Sequence, residues 1–99
     1  MGNSLKSAQF LMESRMADAA AGDVNALYDL GIACSMGSGE NGCVDLIAAH
    51  KWFNLAALAG LAAAQEARAD VAEDMTAREI VEAQRQARAW LNATRRMAA

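Results

Sequence analysis

Shifted against itself by 38 residues, this chain places Gly60 on Gly22, Ala64 on Ala26, Ala87 on Ala49, Trp90 on Trp52 and Asn92 on Asn54. A fixed period in the upper thirties constrains a fold more than composition does. Each repeat is then one supersecondary unit, which buries its apolar face only against its neighbours. The matches fall in phase with three- and four-residue apolar spacing, so the unit is a pair of helices. The same shift carries Ala57 back to Ala19, so the first helix reads as the second half of a truncated preceding unit.

The residue types agree. Proline is absent, hydrophobic residues make up 55% of the 99-residue chain, and only 5% are aromatic. Alanine, leucine, methionine, glutamate, glutamine and arginine favour helix, and runs of β-branched and aromatic residues that would favour strands are missing. An all-α fold follows, and its small side chains suit closely packed helices. The length suits one domain with one core.

Along the chain the pattern predicts five helices. The first spans 4–21, with Phe10, Ser14, Ala17 and Ala21 as its facing stripe and Gly22 as its left-handed exit. Asp23 caps a second helix over 24–36, in which Val24, Leu27, Tyr28, Gly31 and Ile32 recur at helical spacing. The glycine-rich stretch 37–42 is the one clear loop. It is not a phosphate cradle, since no strand precedes it and no Lys-Ser or Lys-Thr follows. A third helix from 44 or 45 to 59 carries Ala49, Trp52, Phe53, Ala56 and Ala57, with Gly60 completing the stripe. A fourth spans 61–74. Thr76 and Glu79 form a capping box that starts a fifth helix running to about residue 96. Ile80, Ala83, Ala87, Trp90, Leu91 and Thr94 face inward on it, and Arg78, Glu82 and Arg85 face outward.

The run Ala26-Leu27-Tyr28-Asp29-Leu30-Gly31, followed by Gly37-Ser38-Gly39, Asp45, Ala49, Trp52-Phe53, Ala56-Ala57 and Gly60, resembles the Sel-one-like repeat, a relative of the tetratricopeptide repeat. The likeness is specific over 23–65. Beyond it Glu66 stands where Tyr28 would recur, and Ala69 replaces Gly31. The resemblance implies an α-α superhelix of about five antiparallel helices in a single domain. Residues 1–22 would be a partial repeat, 23–60 a full one, and 61–99 a degenerate C-terminal capping unit. Leu27, Gly31, Ala49, Trp52, Phe53, Ala56, Gly60, Ile80, Ala87 and Trp90 would form the repeat core. It further implies a bacterial-type protein-interaction module or adaptor, without enzymatic activity or cofactor. Secreted, cysteine-rich relatives linked to β-lactams carry paired cysteines in each repeat, a pattern this chain lacks.

Charge and motif exclude other classes. The formal charge is -3, and neither half has the net basic field that phosphate backbones require, so nucleic acid is not an expected partner. The most apolar stretch, 43–64, contains Asp45, His50 and Lys51, which makes it a core helix and not a membrane span. The opening residues lack the apolar run of a secretion signal, so a cytoplasmic protein with reduced Cys34 and Cys43 is expected. A C-x8-C pair with the single His50 matches no common zinc spacing. His50 reads as a partly buried, hydrogen-bonded residue, and Met12, Met16, Met36 and Met75 as core filler. The partner expected is another protein, contacted through Tyr28, Met12, Met16 and His50, or alternatively a second copy of the chain in a homo-oligomer. Two and a half repeats fall just short of a self-sufficient stack, which leaves apolar surface for either partner to cover.

Overall fold

The computed structural model describes residues 3–37 and 43–98, with side chains over 10–37 and 43–95. Among them are five α-helices and no strand: α1 Asn3–Ala20, α2 Val24–Met36, α3 Leu46–Leu58, α4 Ala62–Ala72 and α5 Ala77–Ala98.

Each boundary has a local cause. The Asp23 carboxylate accepts from the amides of Asn25 at 2.9 Å and Ala26 at 3.3 Å, satisfying donors at the start of α2 that no earlier carbonyl can reach. Asp45 does the same for α3 through the Ala48 amide at 3.0 Å. The capping box starts α5: the Thr76 amide donates to the Glu79 carboxylate at 2.8 Å, and the Glu79 amide donates to the Thr76 hydroxyl at 3.2 Å.

The turns leaving α1 and α3 have one construction. After α1, the Gly22 amide donates to the Ala19 carbonyl and the Asp23 amide to the Asp18 carbonyl, both at 3.0 Å. After α3, the Gly60 amide donates to the Ala57 carbonyl at 3.0 Å and the Leu61 amide to the Ala56 carbonyl at 3.1 Å. Each pair of bonds is the 38-residue image of the other. Gly22 has φ 101° and Gly60 φ 104°, conformations that L side chains rarely adopt. The helix following the second turn lacks one feature of the first: Leu61, standing where Asp23 does, has no side chain to cap α4.

The core is centred on α3, which packs against α2, α4 and α5, while α1 packs on α2. Burial on α3 is nearly continuous, covering Ala49, His50, Trp52, Phe53, Leu55, Ala56 and Ala57. A helix enclosed on most sides must be apolar around most of its circumference. Leu30 from α2 and Ala64, Ala83 and Ala87 from α4 and α5 complete this interior, each 1% exposed or less. The Phe53 ring lies directly against Gly31. A Cβ at position 31 would sit 2.5 Å from two of its ring carbons, so close approach explains a glycine inside α2.

Three expectations change. The inward face of α1 is marked by Met12 and Ala19, whereas Phe10, Ser14, Ala17 and Ala21 are exposed, Phe10 by 70%. Apolar residues at 10, 11, 12, 16, 17 and 19–21 surround this helix, so periodicity alone selects no face. Gly60 belongs to an exposed turn and not to the buried stripe. Met36 lies on the last turn of α2 with 72% of its surface exposed, and fills no core. The expected loop at 37–42 falls largely on residues 38–42, which lie outside the described residues.

Candidate functional site

Trp52 on α3 and Trp90 on α5 meet edge to face, with ring centroids 4.8 Å apart. Trp52 is buried, and Trp90 is partly exposed. Tyr28 on α2 tilts onto Phe53 at 5.6 Å, also partly exposed. These aromatic contacts tie α2, α3 and α5 together and leave two concave surfaces.

The first is a cavity of about 610 Å³ between α1, the end of α2 and the start of α3, lined by Met12, Met16, Cys34, Cys43, Lys51 and Trp52 among others. Lys51 lays its ammonium over the Trp52 ring, 4.3 Å from the centroid. Burial lowers the Lys51 pKa, against the opposing pull of Cys34 and Asp45. Burial also raises the Cys34 thiol, as Asp45 does, while Lys51 acts in the opposite sense. Cys43 is exposed.

The second is a groove of about 650 Å³ where the ends of α1 and α3 meet the last turns of α5. Leu27, Leu55, Leu58, Trp90 and Leu91 give it an apolar floor and wall, and Thr94 and Arg95 border it. Gly22 of the first turn and Ala59, the last residue before the second turn's glycine, also line it. Leu58 is 66% exposed, on a helix that is otherwise largely buried.

His50 is 4% exposed, with no hydrogen-bond partner for its Nδ1 among the described residues. Desolvation lowers its pKa, and the nearby Arg68 cation adds to the effect. Arg68 itself donates to the Asn54 carbonyl oxygen at 2.6 Å. A neutral imidazole packed in this way cannot contact a partner. Met12 is 9% exposed and lines the first cavity. Of the four residues expected to contact a partner, Met16 and Tyr28 keep the most accessible surface, and Met12 and Met16 line a concavity, the first one. The sequence reading missed Leu58, Leu91, Thr94 and Arg95 as groove residues. Leu58 had a signal in the sequence: it is a leucine off the apolar stripe of its helix, beside a turn.

Among the described residues no group of three or more His, Cys, Asp or Glu side chains could hold a metal ion, and no helix is long and apolar enough to cross a membrane. No family model matches the chain. No curated protein and no solved structure is significantly similar to it.

Proposed function

We propose that this chain is a protein-binding module of the Sel-one-like repeat type, acting as an adaptor without catalysis of its own. The observation that carries the reading is the apolar groove lined by residues from the ends of α1, α3 and α5. Stacked helix pairs characteristically present such concave surfaces to partners. Trp90 and Arg95, residue types that dominate interaction hot spots, both line this groove. The 38-residue register of the turns supports the repeat reading, and the uncapped start of α4 supports a degenerate second unit.

The chain used as bait in its source lysate is expected to retain a stoichiometric protein partner, and Leu58→Glu is expected to abolish retention without altering the melting curve. Retention unchanged in Leu58→Glu would remove the groove from the account.

A second reading has its own observation. On α1, which packs on α2, Phe10 is 70% exposed, Leu11 51% and Met16 39%. A second copy covering these side chains of α1 would make the chain a homo-oligomer. Light scattering on the purified chain separates the two: a monomer supports the adaptor, and a dimer or larger species supports self-assembly.

A further inference from the structure

Neither the groove nor the aromatic packing uses the two cysteines, yet both line one cavity. Cys34 sits in the last turn of α2, 7% exposed, and Cys43 lies exposed just ahead of α3. The chain is pinned at this point. The Asp45 amide donates to the Cys34 carbonyl at 3.0 Å, which fastens the backbone two residues beyond Cys43 directly onto Cys34. A disulfide requires Cα atoms about 4.4–6.8 Å apart. The Asp45 bond ties the segment that carries Cys43 to the end of α2, and both cysteines line the one cavity between those segments.

We propose that Cys34 and Cys43 are a redox pair, oxidised by a peroxide to an intramolecular disulfide that fastens the end of α2 to the start of α3. The exposed thiol reacts first. The Cys43 thiolate attacks one peroxide oxygen, the O–O bond breaks, and Cys43 becomes a sulfenic acid as hydroxide leaves. The Cys34 thiolate then attacks the Cys43 sulfur, the S–S bond forms, the S–O bond breaks, and a second hydroxide leaves. The two thiol protons neutralise both hydroxides, so two thiols and one peroxide give one disulfide and two waters. Lys51 is placed to assist the second step. Its ammonium, held over Trp52, lines the same cavity and favours the Cys34 thiolate that burial and Asp45 oppose.

The sequence offers a direct test. Glu40 is the only glutamate between the two cysteines. The folded chain is treated with stoichiometric hydrogen peroxide, free thiols are blocked, and the denatured product is cleaved by a glutamyl endopeptidase without reductant. The expected product is a monomer that has lost both thiols and two hydrogen atoms. Its fragments on either side of Glu40 stay joined until reductant is added, and its melting temperature exceeds that of the reduced chain. In Cys43→Ser, an exposed position that leaves the core untouched, Cys34 is expected to remain a thiol under the same treatment. A wild-type product with Cys43 as sulfinic acid and Cys34 still free, or one cross-linked between chains, would overturn the proposal. So would consumption of the Cys34 thiol at the wild-type rate in Cys43→Ser.

Discussion

Trp52 and Trp90 stand 38 positions apart in the sequence and meet edge to face, ring planes at 82° and centroids 4.8 Å apart. Residues related by the internal shift are therefore in direct contact between α3 and α5. Trp52→Ala removes a ring that is 3% exposed and should destabilise the chain by about 3–5 kcal/mol, a large part of the stability of a domain this size. Trp90→Ala should cost less, because the ring is partly exposed. A double-mutant cycle read by urea denaturation should show a coupling of about 0.5–1.5 kcal/mol beyond the two burial losses. Additive effects would mean that the ring contact contributes nothing of its own.

Gly31→Ala should destabilise by about 1–3 kcal/mol, since the added methyl would overlap the Phe53 ring. Gly31→Ala combined with Phe53→Leu should recover part of the loss attributable to overlap. At the positions 38 residues later the chain carries Ala69 and Leu91, so glycine gives way to alanine where the ring gives way to leucine. Thermal melts of the wild type, the two single variants and the double variant check the compensation.

The two turn glycines give a matched pair. No atom lies within 4 Å of a Cβ built on either, so the cost of alanine there is backbone strain alone. Gly22→Ala and Gly60→Ala should each destabilise by about 1–3 kcal/mol. Measured side by side, they should agree closely, because their φ angles differ by only a few degrees.

Much of this fold is legible in the sequence because its boundaries rest on local chemistry. Asp23, the Thr76–Glu79 box and the glycines after α1 and α3 act within a few residues of themselves, and α2 spans the predicted 24–36. The orientation of α1 is not legible, since its apolar residues surround the helix and tertiary packing alone selects Met12 and Ala19. The candidate site is less accessible still. The groove is assembled from the ends of three helices remote in sequence, and a residue such as Leu58 becomes noticeable only when the packing leaves it outside. The burial of His50 follows from its place on an apolar flank, but the hydrogen bond expected of it is not found at Nδ1 among the described residues, because periodicity places a ring and not the partners of its nitrogens.

Acid should weaken the fold through that histidine. Its folded pKa lies below the ordinary value of about 6.5, so the unfolded chain binds the proton more readily. The stabilisation is complete above the unfolded pKa and is lost as pH falls from there toward the folded value. Urea midpoints between about pH 7.5 and 5 should therefore decline. In His50→Gln, which cannot take up the proton, the decline should be shallower. An equal slope in both proteins would assign the acid sensitivity to other groups.

The central claim, that a protein docks in the groove beside the repeated turns, is tested most directly by hydrogen exchange of the chain with and without its captured partner. The account predicts slowed exchange over 55–61 and 90–95, where the groove lies, and unchanged exchange on the far faces of α2 and α4. Protection confined to those far faces, or none within the groove, would contradict it.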